Sequence, residues 1–166
     1  MNVLNRYFST IIPLVGIHKG IIVDFVGDGL LAFFEPVDDS LKDTIARCVQ
    51  CAFDMQGAMY LLNRQMAQCK LPTIEMGVGV NCGRVVVGNI GSETRKKYGI
   101  VGSVVNFTQR IQGQSKAGEV VVAEPVYTTI EPVVTVQRVF SASLKGVASA
   151  VRLYAIGPDP TRQTHK

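Results

Sequence analysis

Apolar side chains recur every three or four residues in parts of the chain, a spacing that places them on one face of a helix. It predicts a first amphipathic helix over residues 3–17, ended or bent near Pro13 and Gly16, and a long helix over residues 40–69. A third, shorter helix is predicted over residues 104–114. These helices supply the apolar faces against which a sheet can pack.

Shorter apolar runs bounded by glycine predict strands. They are Ile21–Val26, Leu30–Phe34, Ile74–Cys82, Arg84–Ile90, Val120–Ala123, Val133–Phe140 and Val151–Ile156. The first two flank Gly-Asp-Gly at residues 27–29, which is the composition of a tight hairpin turn, so Asp28 is expected at its tip. The third and fourth are joined at Gly83 and predict a second hairpin, which a polar, basic loop over residues 91–98 follows.

The order of helices and strands predicts an α+β fold in which helices pack on a mostly antiparallel sheet. A hairpin followed by a long helix is the middle of a ferredoxin-like βαββαβ unit. Such a unit begins with a strand before its first helix, and this chain has no residues in which to place one. With 166 residues, we expect one domain over residues 1–157 and a loose polar tail over 158–166.

Composition narrows the class of protein. Apolar residues make up 47% and charged residues 18%, which predicts a globular chain rather than a disordered one. The net charge of +4 is scattered, its densest cluster lying at residues 95–97, so it favours a phosphate-bearing small molecule over nucleic acid. No apolar stretch approaches the ~18 residues of a membrane span, and no secretory signal opens the chain. A cytoplasmic location is the expectation.

The four cysteines raise the question of a zinc site. Cys48 and Cys51 have the spacing of half a zinc ribbon, but Pro72 stands where a partner for Cys69 is needed. Cys48 and Cys51 also share one face of the predicted long helix, where thiols act as small apolar groups. We therefore expect buried, reduced cysteines, Cys82 included.

Three polar side chains are candidates for chemistry on residue type and spacing alone. Asp28 either satisfies backbone donors in an ordinary turn or binds Mg²⁺, which takes one or two carboxylates plus substrate phosphates. Asn106 and Arg110 are one helical turn apart on one face. They form either a solvated face or a pair in which an amide and a guanidinium reach the same ligand.

Three ordered segments resemble the class III adenylate and guanylate (nucleotidyl) cyclases. Residues 18–34, from His-Lys-Gly through Phe-Val-Gly-Asp-Gly to Phe-Phe, resemble the first hairpin of that family. Residues 77–92, from Gly-Val-Gly-Val-Asn-Cys-Gly to Gly-Asn-Ile-Gly-Ser, resemble its second hairpin. Residues 98–110, from Tyr-Gly-Ile-Val-Gly to Val-Asn-Phe-Thr-Gln-Arg, resemble its Y-x-x-x-G-x-x-V-N-x-x-x-R segment. The resemblance runs from the first residue to about residue 156.

The resemblance implies a cyclase that converts ATP or GTP to a 3′,5′-cyclic nucleotide and pyrophosphate in signal transduction, using two Mg²⁺ or Mn²⁺ ions at a dimer interface. By matching positions, it implies that Asp28 is a metal ligand and that Asn106 orients the ribose. Arg110 then meets phosphate charge in the transition state, and Lys145 contacts the triphosphate, although an exposed loop lysine is the plain alternative. Weaker candidates for phosphate are Arg95 and Lys97.

The base-recognition positions depart from the adenylate pattern. Adenylate cyclases usually carry Lys at the position of Asp24 and Asp or Thr at that of Gly99. An acid at residue 24 resembles the guanylate arrangement, because it can accept hydrogen bonds from guanine N1–H and the 2-amino group. Asp is shorter than the usual Glu, and a pocket without strict base choice is the alternative.

A second departure concerns the metal site. The family's other metal-binding Asp lies in an F-x-D-[IL]-x-G-F strand before the first helix, and nothing before Val3 supplies it. The resemblance thus implies a cyclase domain without its first strand, with unpaired strand edges in the centre of its sheet. The alternative is a catalytically inactive, cyclase-like module for dimerisation or nucleotide sensing.

Overall fold

The computed structural model describes residues 3–162 of the chain. Its helices are α1 Val3–Ile17, α2 Leu41–Gln68, α3 Ser103–Gln112 and α4 Glu124–Ile130, with short 3-10 turns at Glu131–Val133 and Pro160–Arg162. Its strands are β1 Ile21–Val26, β2 Gly29–Phe33, β3 Val78–Val80, β4 Val86–Gly91, β5 Lys96–Val101, β6 Val120–Ala123, β7 Val134–Ala142 and β8 Val151–Pro158. The predicted α+β class is confirmed.

The strands form three separate sheets. A four-stranded sheet has the order β3-β6-β8-β7, in which β3 and β6 run parallel and the other neighbours run antiparallel. The antiparallel hairpins β1–β2 and β4–β5 stand apart from it. Strand β6 is buried along its whole length, so the four-stranded sheet is the centre of the core.

Helices α1 and α2 pack together and form the second part of the core. Tyr7, Ile11 and Val15 follow one another at four-residue steps on α1 and are buried against α2. This packing carries α1 through Pro13, so the predicted helix continues to Ile17 instead of ending at the proline. Helix α2 begins where the Ser40 hydroxyl accepts a hydrogen bond from the Asp43 amide, an N-cap that satisfies an otherwise unpaired donor.

The predicted second hairpin is wrong. We expected residues 74–82 to pair with residues 84–90, but only Val78–Val80 is a strand, and it pairs with β6 in parallel. The hairpin is instead β4–β5, because much of the basic stretch expected to be a loop is strand β5. Parallel partners are distant in sequence, and local alternation carries no information about them.

Two smaller expectations also change. Helix α4 was not predicted, since its seven residues include a proline and four β-branched residues, a composition with weak helix propensity. Part of the expected tail is ordered, because β8 extends to Pro158 and pairs there with Val134. Residues 163–166 lie outside the described part of the chain. Within the described part, no helix is long and apolar enough to cross a membrane.

A slot separates the first hairpin from the four-stranded sheet. It is a cavity of about 830 Å³, with residues 29–32 of β2 on one wall and residues 74–80, which include β3, on the other. In the described sheets, β2 pairs only with β1, and β3 is the end strand of its sheet. Unpaired strand edges therefore lie on both sides of the slot, as expected from the sequence.

Candidate active site

The turn of the first hairpin presents Asp28, as predicted. Val26 pairs with Gly29, so Gly27 and Asp28 are the two central residues of the turn. Gly27 has a φ of 64°, which a glycine adopts without strain and which a type II′ turn requires at its first central position. Asp28 is exposed, and within residues 3–162 its carboxylate has neither a hydrogen bond nor an ion pair. This carboxylate is therefore available to a ligand.

A β-bulge sets the direction of Asp24, four residues before. Ile22 pairs with Ala32 while Asp24 pairs with Leu31, so Val23 is an extra residue in β1. Such an insertion twists the strand locally and redirects the side chain that follows it. Val23 is buried and Asp24 is exposed, and both Asp24 and Asp28 border the slot.

Asp24 is held by a lysine from the second hairpin. Lys97 Nζ lies 2.7 Å from Asp24 Oδ1, which also accepts a hydrogen bond of 2.9 Å from the Phe25 amide. The hydrogen bond from Lys97 is the main reason that the pKa of Asp24 lies below its ordinary value. Asp24 is thus an acceptor-only carboxylate at neutral pH, and Lys97, a weak phosphate candidate by sequence, contacts this carboxylate.

Gly99 follows Lys97 by two residues on β5. It is buried and pairs with Gly88 of β4. A Cβ built on Gly99 would meet only the Ile90 side chain, at an ordinary contact distance of 3.5 Å. An alanine methyl group can therefore be introduced at this position without displacing the backbone.

Helix α3 and the loop between β7 and β8 bring a second group of candidates together. The Arg110 guanidinium donates a hydrogen bond to the Lys145 carbonyl oxygen. The next residue, Gly146, has a φ of 76°, and a Cβ there would lie 3.3 Å from Arg110 Nη1. Arg110 therefore covers this turn, and Asn106 lies exposed one helical turn earlier. Arg95 lies apart from them, at the tip of the β4–β5 hairpin, where its amide donates to the Ser92 hydroxyl.

The two groups of candidates differ in whether they border the slot. Asp24 and Asp28 border the slot, and α3 contributes Val105, Thr108, Gln109 and Gln112 to the same cavity. Asn106 and Arg110 are not among the residues that line it. In one copy of the chain, the slot is therefore bordered by the carboxylates and not by the Asn106 amide or the Arg110 guanidinium.

Tyr7 also lies in this region. The sequence pattern predicted only that it belongs to the apolar face of the first helix. Its side chain is 6% exposed, and it lines the slot together with Asp28. Burial, and secondarily the charge of Asp28, raise the pKa of the Tyr7 phenol. The sequence does carry one sign of this residue, because the other buried positions of α1, Ile11 and Val15, are aliphatic.

The cysteines behave largely as expected from their helix. Burial raises the pKa of Cys48 to about 12 and that of Cys51 to about 11, so both stay protonated at neutral pH. Cys69 is exposed, which corrects the expectation of burial, because it lies at the C-cap of α2 beyond the packed part of the helix. Cys82 is half-buried.

Asp28 supplies one of the oxygen ligands that Mg²⁺ or Mn²⁺ requires. Carboxylate oxygens are what Mg²⁺ and Mn²⁺ prefer, and Mg²⁺ commonly takes one or two carboxylates and completes its shell with water and phosphate. Within the described residues, no group of three or more His, Cys, Asp or Glu side chains could enclose an ion. Asp28 can therefore contribute one ligand, and further ligands must come from elsewhere.

Comparison with known proteins points to one family. The profile described as "Adenylate and Guanylate cyclase catalytic domain" matches residues 1–157. A curated relative, adenylate cyclase 1 of Rhizobium meliloti, is 27% identical over 156 residues, which cover 92% of this chain and 23% of the relative. The terminal-differentiation-specific adenylate cyclase of Dictyostelium discoideum is also 27% identical, and the match covers 92% of this chain but 7% of that protein. The chain thus spans less than a quarter of these two relatives.

Solved structures give the same result. The crystal structure of the guanylyl cyclase Cya2 has a TM-score of 0.86 and 36% identity, over 97% of this chain and 82% of that one. The adenylyl cyclase CyaB from P. aeruginosa has a TM-score of 0.87 and 28% identity, over 94% and 81% of the two chains.

Proposed function

This chain belongs to the adenylate and guanylate cyclase catalytic domain family, and from that membership we propose that it forms a 3′,5′-cyclic nucleotide and pyrophosphate from a nucleoside triphosphate, with GTP preferred. The observation that carries the proposal is that the family's site positions are occupied by chemically competent residues. Among residues 3–162 the Asp28 carboxylate has no partner, and Arg110 lies beside the loop of Lys145.

Each candidate residue would have its own role in the reaction. Asp28 would hold Mg²⁺ or Mn²⁺, which when bound polarises phosphoryl oxygens and offsets negative charge. Asn106 would orient the ribose so that its 3′-hydroxyl faces the α-phosphate. Arg110 would stabilise the charge that develops on the phosphates during displacement of pyrophosphate, and Lys145 would bind the triphosphate. In the family's pattern two metal ions share this task.

We propose that the working site lies between two copies of the chain. Asp28 would come from one protomer, and Asp24, Gly99, Asn106, Arg110 and Lys145 from its partner. In a single copy Asp28 borders the slot, whereas Asn106 and Arg110 do not. The β4–β5 hairpin also exposes apolar side chains suited to burial in such an interface. They are Val86, Val87, Ile90, Tyr98 and Val101.

Guanine preference follows from Asp24. A permanently ionised carboxylate accepts hydrogen bonds from guanine N1–H and the 2-amino group, whereas adenine presents an acceptor at N1. Lys97 favours this ionised state by its contact with Asp24. The 36% identity to the guanylyl cyclase Cya2 supports the same preference.

The family's second metal carboxylate needs a place, and we propose that the slot between β2 and β3 accepts the extended strand that carries it. Both walls of the slot present unpaired strand edges, which an inserted strand would pair. That strand would bring its carboxylate toward Asp28, which borders the same slot.

The experiment measures cyclic-nucleotide formation from GTP and from ATP with Mn²⁺. It compares the 166-residue chain, a chain extended by an F-x-D-[IL]-x-G-F strand before Val3, and the extended Asp28→Ala and Asn106→Ala variants. We expect the extended chain to be about 100-fold faster than the 166-residue chain, to prefer GTP, and to lose activity in both variants. A folded, extended chain without activity would favour the alternative of a catalytically inactive, cyclase-like module.

A further inference from the structure

The loop between β7 and β8 contains a tight turn in which Lys145 and Gly146 are the two central residues. The Val147 amide donates a hydrogen bond of 3.0 Å to the Leu144 carbonyl oxygen and so closes the turn. Gly146 has a φ of 76°, whereas the φ of Lys145 is not positive. A positive φ at the second central residue only is the mark of a type II turn, in which glycine is the favoured residue at that position.

This type of turn sets the direction of the Lys145 carbonyl group. The ψ of the first central residue is about 120° in a type II turn and about −30° in a type I turn, so the central peptide rotates by roughly 150° between them. In the type II turn observed, the Lys145 carbonyl oxygen accepts a hydrogen bond from the Arg110 guanidinium. A rotation of that size would direct this oxygen away from Arg110.

The turn and helix α3 are anchored in the same part of the core. Leu144 is 5% exposed and belongs to a buried cluster that also contains Ile111 of α3. Val147 packs against the same cluster, so both ends of the turn are fixed relative to the helix. Lys145 and Gly146 lie exposed between these two anchors. The direction of the central carbonyl therefore depends on the type of turn and not on a movement of the loop.

The partner of Arg110 is a carbonyl oxygen, and within residues 3–162 no carboxylate forms an ion pair with this arginine. By contrast, Arg47 pairs with Asp39, and Arg138 pairs with Glu119. A carboxylate neutralises the arginine that it holds, whereas a carbonyl oxygen orients the guanidinium and leaves its charge in place. A guanidinium that is oriented but not neutralised is suited to an anionic ligand such as a phosphate.

We infer that Gly146 is a positioning residue for the proposed reaction, because it permits the type II turn whose Lys145 carbonyl oxygen orients the Arg110 guanidinium. This inference rests on the proposed function, since Arg110 is the residue that would stabilise charge on the phosphates. Gly146 touches neither substrate nor the reacting atoms, and its effect passes through Arg110. The same peptide group joins the two cations proposed to contact the phosphates, Arg110 and Lys145, into one unit.

Gly146→Ala tests the turn, since alanine disfavours the left-handed φ and shifts the turn toward type I. Gly118→Ala is the matched control. Gly118 has a φ of 79° and the same position in a turn, which the Glu119 amide closes by a 3.0 Å hydrogen bond to the Lys116 carbonyl oxygen. Beyond its chain neighbours, no described heavy atom lies within 4 Å of a Cβ built on Gly118, whereas a Cβ on Gly146 would lie 3.3 Å from Arg110 Nη1. The two substitutions therefore impose similar backbone strain, but only one of them affects Arg110.

The first measurement is the rate of cyclic GMP formation by the strand-extended chain with Mn²⁺. Gly146→Ala should lower kcat by about 10- to 100-fold, as expected when a group that stabilises the transition state is misplaced. KM should change by less than about 2-fold, because Arg110 acts on charge that develops only in the transition state. Gly118→Ala should keep both values, although the two variants lower the thermal unfolding midpoint by similar amounts. Gly146→Asn should recover most of the lost kcat, because asparagine tolerates a left-handed φ and keeps the turn.

The second measurement does not depend on catalysis. Urea unfolding of the 166-residue chain compares Gly146→Ala, Arg110→Ala and the variant that carries both substitutions. If Arg110 contacts the turn, the double variant should be less destabilised than the sum of the two single variants, because each substitution removes the same contact. The effects of Gly118→Ala and Arg110→Ala should be additive.

The two measurements separate the failure of this inference from the failure of the proposed function. If Arg110→Ala loses activity while Gly146→Ala keeps the kcat of Gly118→Ala, Arg110 acts without being positioned by the turn, and only the inference is overturned. Additive effects of Gly146→Ala and Arg110→Ala on unfolding would also overturn it, because the contact would then be absent in solution. If the two effects are coupled but Arg110→Ala keeps full activity, or the folded, extended chain forms no product, the proposed function fails and the inference fails with it.

Discussion

Replacing Gly79 with alanine should loosen the contact between β3 and α3, the helix that carries Asn106 and Arg110. A Cβ on Gly79 would lie 2.5 Å from the Gln112 backbone nitrogen and 2.6 Å from its Cα. Both distances are well inside van der Waals contact, and backbone atoms cannot turn aside as a side chain can. The helix must therefore move away from the strand or the strand must shift.

We expect Gly79→Ala to cost about 2 kcal/mol, within the usual range for overpacking a well-packed interior. For a chain of this size, that corresponds to a fall of about 4–8 °C in the unfolding midpoint. Urea unfolding and thermal melts followed by circular dichroism measure both quantities. The cyclase activity of the strand-extended chain should fall further than stability alone explains, because Asn106 and Arg110 move with α3.

Gly88→Ala provides the matched control. Gly88 is also a strand glycine, but no heavy atom lies within 4 Å of a Cβ built on it. This variant should change stability by less than about 0.5 kcal/mol. Equal destabilisation by the two substitutions would show that the cost comes from strand glycines in general, and the argument from the contact between β3 and α3 would be refuted.

Three further substitutions test other parts of the account. Ser40→Ala removes the N-cap of α2 and should cost about 1 kcal/mol in urea unfolding; an unchanged free energy of unfolding would contradict the capping role. Glu119, whose pKa is lowered mainly by its hydrogen bond from Arg138, is stabilised in its ionised form, so this contribution is present above the unfolded pKa and lost as pH falls. Glu119→Gln should therefore cost about 1–2 kcal/mol at pH 7, and its difference from the wild type should shrink below about pH 4; a difference that stays constant with pH would exclude the charge as its cause. Lys97→Met should raise the pKa of Asp24 toward its ordinary value, which NMR titration of the carboxyl measures, and an unchanged pKa would show that the ion pair is absent in solution.

Local signals in the sequence predicted much of the first hairpin and its tip. Asp28 lies between two glycines, and apolar runs flank them on both sides. This pattern is typical of a tight hairpin turn, and the structure confirms the turn. The long helix was equally clear, because its apolar period extends over many turns and Ser40 marks its start. Such features depend on residues that are neighbours in the chain.

Features that depend on distant residues were not predicted. The pairing of β3 with β6 joins segments about forty residues apart, and neither strand indicates its partner. The contact of Lys97 with Asp24 and the shared cavity of Tyr7 and Asp28 arise only when hairpins and helices pack. The family resemblance predicts the individual site residues and their division between two subunits, but the contacts that each of them makes needed the three-dimensional arrangement.

The most direct test of the central claim mixes two inactive variants. Strand-extended Asp28→Ala and Asn106→Ala chains are purified separately, shown to be folded and inactive, and combined in equal amounts under conditions that allow subunit exchange. If each site takes Asp28 from one copy and Asn106 from the other, half of the dimers are mixed and each contains one intact site. Cyclic GMP formation should then return to about a quarter of the wild-type rate. No recovery, although exchange is demonstrated, would contradict a site shared between two copies of this chain.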